Sequence, residues 1–143
     1  MKIILSILIF TFINVNVLSA QNFHDEDEDI ISTELTECME EHQDTHGTST
    51  CIINAKNEWD KVLNKYYNLL KAELSDEGKK KLLEAQREWI KLRDKEYLFV
   101  EQLYNIETGG GTMYTPIYLL KEKDIVKDRA LELKYYYKDL IGE

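Results

Sequence analysis

The run from Cys51 to Leu74, CIINAKNEWDKVLNKYYNLLKAEL, decides the fold. Within it Ile52, Ala55, Trp59, Val62/Leu63, Tyr66, Leu69/Leu70 and Leu74 recur at steps of three and four, which puts them on one face of a helix. Thr48 or Ser49 can cap its start, and the spacing predicts a helix over 51–73. Ser75-Asp76-Glu77 then supplies a capping residue and first-turn acids for a second long helix. Its stripe runs through Leu82/Leu83, Ala85/Gln86, Trp89/Ile90, Arg93, Glu96/Tyr97, Val100 and Leu103/Tyr104. So short a connection predicts an antiparallel hairpin. Gly109-Gly110-Gly111 closes the second helix, and Thr115-Pro116 opens a third along Leu119/Leu120, Ile125/Val126, Arg129/Ala130, Leu133, Tyr136/Tyr137 and Leu140. Upstream, a short helix over 31–42 carries Leu35, Cys38 and Met39 on one side. The expectation is an all-α domain over 31–143. It is a small antiparallel bundle of three long helices plus a short, disulfide-tethered N-terminal one, with no strand signal.

Composition narrows the function classes. The 143 residues carry a formal net charge of −9 and 43% hydrophobic residues, enough apolar content for one core. Without a Lys/Arg cluster, binding to nucleic acid through phosphate neutralisation has no footing, and a basic partner is the better electrostatic match. Met1-Lys2 followed by the apolar run Ile3–Phe12 and the small Ser19-Ala20 pair reads as a signal peptide over 1–20, so the protein is expected to be exported, periplasmic or secreted. Removing it takes away Lys2 and no acid, which moves the charge of −9 to one unit more negative. No later segment is apolar enough to span a membrane. Residues 21–30, with five acids in series from Asp25 to Asp29, read as a flexible acidic leader, and they lack the spaced ligands and glycine of a calcium loop.

Export favours one Cys38–Cys51 disulfide, worth about 3 kcal/mol in the chain-entropy model. The rival is tetrahedral zinc on the string Cys38, His42, His46 and Cys51, whose spacing fits no common zinc module and which Gly47 and Thr48-Ser49-Thr50 would interrupt. No cofactor is expected.

Polar residues on an apolar stripe are informative because burying them costs free energy unless they are paired. Gln86 and Arg93 flank Trp89 on the second long helix, and Asp60 and Asn64 lie four apart on the first. Antiparallel packing predicts a register-fixing network of Arg93 with Asp60 and Gln86 with Asn64. No G-x-S-x-G, HExxH or phosphate loop is present, and the Glu84/Glu88 pair reads as a solvated face, so no enzyme is expected. The glycine loop leading into Thr112-Met113-Tyr114 is a candidate partner-binding segment. The run Tyr135-Tyr136-Tyr137 must expose at least one ring for contact.

These residues also form a pattern: Trp59-Asp60, Leu63-Asn64-x-Tyr66, Ala85-Gln86-x-x-Trp89-Ile90-x-x-Arg93-Asp94, Gly111-Thr112-Met113-Tyr114 and Arg129-Ala130-x-x-Leu133. It resembles the lysozyme inhibitor LprI-like family over about residues 38–140, with the 85–94 block as its specific part. The resemblance implies a small, helical, exported bacterial envelope protein that binds and inhibits a lysozyme-type muramidase. Where some members place a further cysteine after the Arg-Asp pair, this chain has Glu96-Tyr97, which implies one bridge. The alternative is an envelope adaptor or small-ligand-binding module whose pocket is lined by the Arg93 network.

Overall fold

The computed structural model describes residues 25–143. The expected signal peptide at 1–20 and the start of the leader lie outside the described residues. Four helices follow in order: α1 (Glu26–Glu41), α2 (Thr45–Glu73), α3 (Asp76–Gln102) and α4 (Thr115–Ile141). Between α3 and α4 come a π-helical turn over Leu103–Glu107 and a 3₁₀ turn over Thr112–Tyr114. No strand occurs among the described residues.

The acidic run departs from the flexible leader expected of it. Asp25 caps α1 by accepting from the backbone N–H of Asp27 (3.1 Å) and Glu28 (3.3 Å), and Glu26 to Asp29 form the first turn. Acids there face the positive end of the helix dipole, which offsets their mutual repulsion. Lysines of α4 complete the compensation. Lys134 reaches Asp25 at 2.7 Å and Asp27 at 2.5 Å, and Lys127 pairs with Glu28. Both Lys134 and Asp25 are 4% exposed, so this is a buried ion cluster.

The start of α2 also moves. Asp44, accepting from His46 and Gly47 at 3.0 Å each, caps it in place of Thr48 or Ser49. The hydroxyls of Thr48, Ser49 and Thr50 donate back to the carbonyls of His42, Thr45 and His46, so the run is accommodated without breaking the helix. The Cys38–Cys51 disulfide joins α1 to α2 with Cα atoms 5.8 Å apart. Its formation removes the thiolates that the zinc reading required.

The core lies between α2 and α4. Ala55, Trp59, Val62, Leu63, Tyr66 and Leu70 of α2 are buried with Val126, Ala130 and Leu133 of α4, and Ile31 of α1 closes one side. Full burial of each large side chain contributes about 2 kcal/mol. Register can be read from named pairs. Lys56 meets Glu122 at 2.6 Å, Lys127 lies over Trp59, and Tyr66 packs on Tyr137 with centroids 6.0 Å apart, so α2 and α4 advance in the same direction. Against α4, α3 runs in the opposite sense: Gln86 meets Arg129, and Tyr97 meets Glu122. Only Gln86 and Val100 of α3 are buried, and Leu92, Leu98 and Phe99 stay in solvent.

Two outcomes follow for stability. Cys38→Ser/Cys51→Ser should lose about 3 kcal/mol in denaturant unfolding, with amide exchange accelerating first in α1. Lys134→Met strands two carboxylates and should cost about 3–5 kcal/mol by the same measurement. Burial pushes Asp25 up, but the Lys134 ammonium and the Glu28 and Asp27 N–H groups outweigh it and hold the carboxyl below its ordinary 3.8. That stabilisation is present above pH 3.8 and lost as pH falls through the depressed native value, so the wild-type melting temperature should drop in that window more than that of Lys134→Met.

Candidate functional site

Two places collect the residues singled out by sequence. The first is the face shared by α3 and α4. Arg93 does not reach Asp60. Its Nε and Nη2 donate to the neighbouring Asp94 at 3.0 and 2.7 Å, while the guanidinium lies 5.4 Å from the Trp89 ring and 5.7 Å from Tyr97. Asn64 likewise stays on its own helix, donating to the carbonyl and the carboxylate of Asp60 at 2.7 and 2.9 Å. Gln86 turns to α4 and accepts from Arg129 Nε at 3.0 Å. The predicted α2–α3 network is therefore replaced by an α3–α4 one. The cause is the thin contact between α2 and α3: Asp60 and Asn64 are exposed, and a local carboxylate on the same helix competes without any closing of the hairpin.

Arg129, which the sequence places on the α4 stripe and in the family pattern, was not assigned a place in the polar network. It is buried, bonded to Gln86, and donates through Nη1 to Glu132 at 2.5 Å, while Glu132 also accepts from the Tyr136 hydroxyl at 2.8 Å. Its guanidinium lies 5.9 Å from the Trp89 ring, so Trp89 sits near two arginines. Lys134 was missed in the same way. Both follow from the rule used for Gln86 and Arg93 when it is applied to α4, where Arg129 and Lys134 adjoin the buried Ala130 and Leu133. Between α3 and α4 an open cleft of about 560 Å³ has Trp89, Leu92 and Ile125 as its apolar surface and Arg93 and Arg129 in its walls. At one end Tyr97 donates to the Glu122 carbonyl at 3.3 Å. Burial, with the Glu122, Asp60 and Asp94 carboxylates, pushes its phenol up to about 12 against the opposing pull of Arg93, so it stays a neutral donor.

The second place is the α3–α4 loop. Gly109, Gly110 and Gly111 all have positive φ, and a Cβ on Gly110 would meet the Asn105 carbonyl oxygen at 2.5 Å. The chain thereby reverses into the turn Thr112-Met113-Tyr114. Tyr114 is anchored against Tyr104, with ring centroids 6.2 Å apart, and Met113 projects with 68% of its surface exposed. Ile106 of the preceding π-helical turn is also exposed. The loop does not approach the Arg93 cluster through any hydrogen bond or ring contact among the described residues.

Along α4, Tyr135 and Tyr136 are exposed and Tyr137 packs on Tyr66, as a helical run of three tyrosines requires. No group of three or more acids, histidines or cysteines is arranged to hold a metal among the described residues. No helix among them is long and apolar enough to cross a membrane.

Comparison with known families gives one match: the family model described as Lysozyme inhibitor LprI covers residues 38–133. No curated protein and no solved structure matches the chain. The matched span holds both cysteines, the α3–α4 cleft and the glycine loop.

Gln86→Met should leave the buried Arg129 Nε without its acceptor. The expected cost is about 1–3 kcal/mol in denaturant unfolding, accompanied by a change in the environment of Trp89 seen by fluorescence.

Proposed function

The chain belongs to the LprI lysozyme inhibitor family, and on that premise we propose that it is an exported envelope protein which binds a lysozyme-type muramidase and blocks it. The family match carries this reading. It is supported by the net charge of −9, which steers an acidic protein onto a basic enzyme, and by the apolar run at 1–20 that reads as an export signal. Inhibition of this kind needs a complementary surface and no reactive group, so the protein acts as a binder and performs no catalysis. In this reading the long helices form a bundle, with α3 running against α2 and α4, that displays the Thr112-Met113-Tyr114 turn at one end. Met113 supplies the apolar tip that enters the substrate groove of the enzyme. Tyr104 holds Tyr114, and so the turn, in place. A rigid, pre-formed tip binds without the entropic cost of ordering a loop.

The test is lysis of bacterial cell walls by a basic lysozyme with and without the purified protein, at low and moderate salt. Saturable inhibition that weakens as salt rises is the expected result, whereas unchanged lysis across several lysozyme classes would remove the reading. Met113→Ala should weaken inhibition by about tenfold with an unchanged melting temperature, since the side chain touches solvent rather than core.

A further inference from the structure

The cleft between α3 and α4 has a charge pattern that the fold does not use. Its two arginines are satisfied within the chain: Arg93 by Asp94, and Arg129 by Gln86 and Glu132. Both guanidinium groups lie near the Trp89 indole. Two other carboxylates of the lining, Glu96 from α3 and Asp128 from α4, have no hydrogen bond or ion pair among the described residues. They are exposed and belong to opposite walls of a groove that also presents Leu92 and Ile125. An apolar surface beneath two unpaired acids matches a side chain with an aliphatic stem and a cationic head.

We propose that this cleft receives an arginine or lysine side chain from the basic lysozyme that the protein inhibits. The stem lies on Leu92 and Ile125 and the charged head between Glu96 and Asp128. This rests on the lysozyme-binding reading and adds to it a second contact, separate from the Met113 tip. Charge complementarity selects the occupant: an acidic protein with two uncompensated carboxylates over an apolar groove suits a cationic side chain of a basic protein better than an anion or a neutral apolar segment.

The experiment compares the wild-type protein with Glu96→Gln/Asp128→Asn and with a control of equal charge change on exposed α1 positions, Glu37→Gln/Glu40→Gln. If lysozyme is inhibited, the cleft variant should raise the inhibition constant about tenfold at low salt and flatten its salt dependence, with the control changing less than about twofold. Equal effects of the two variants overturn the proposal. The second arm is independent of inhibition. The chain has two tryptophans, so a ¹⁵N spectrum resolves two indole N–H signals, and tetra-arginine peptide should shift the signal of Trp89 in the wild type and not in the cleft variant. If no lysozyme is inhibited, the functional reading falls and this arm alone decides the cleft. No indole shift, a shift indifferent to the substitutions, or a shift with a chito-oligosaccharide and not with tetra-arginine would overturn it.

Discussion

Everything in this fold is arranged around the seam between α2 and α4. Trp59 is 1% exposed, and Ala130 and Leu133 are fully buried, so a bulky ring from one helix is matched by a small residue on the other. The two helices run in the same direction, and neighbours of that kind cannot be joined by a tight turn. At 1.5 Å per residue each is roughly 40 Å long, and the chain must travel back over that length before α4 can begin. The 27 residues of α3 span this distance. Helix α3 is thus first a return path and only secondly a packing element. Its shallow burial, its solvent-facing Leu92 and Phe99, and the open cleft it leaves beside α4 all follow from that constraint.

What could be read from the sequence was whatever depended on local spacing. The stripe from Ile52 to Leu74, the Ser75 cap of α3 and the entry of α4 at Pro116 each declare themselves within a few turns of helix, and the structure keeps them. The acidic run at 25–29 failed for the opposite reason. Its charges look solvated until Lys134, 109 positions away from Asp25, is known to lie against them. The site residues divide in the same way. Gln86, Trp89 and Arg93 were found because polar groups on an apolar stripe are conspicuous, yet their partners were assigned to the helix nearest in sequence when the closer helix in space is α4. Arg129 occupied just such a stripe position and would have revealed the exchange. The Cys38–Cys51 bridge was legible because two cysteines allow a single pairing within the chain.

The candidate contact regions have a common physical character. The glycine turn and the cleft are both tied to the scaffold by side-chain contacts and open to solvent: Tyr114 packs on Tyr104, and Arg93 is held by Asp94 beside Trp89. A surface of this kind loses little freedom on association. The buried polar bonds around Arg129 and Lys134 serve the same end, since each holds a helix in one register and leaves few alternatives of similar energy.

The long separation within the ion cluster also bears on the order of events as the chain emerges. Helix α1 finds Lys134 only after nearly the whole polypeptide is available, and Trp59 of α2 has no lid until Val126 to Leu133 arrive. As the chain emerges amino end first, α1 and α2 can be joined by the Cys38–Cys51 bridge while their shared face still lacks its covering helix. Consolidation waits for the last helix, so the core closes only when the chain is nearly complete.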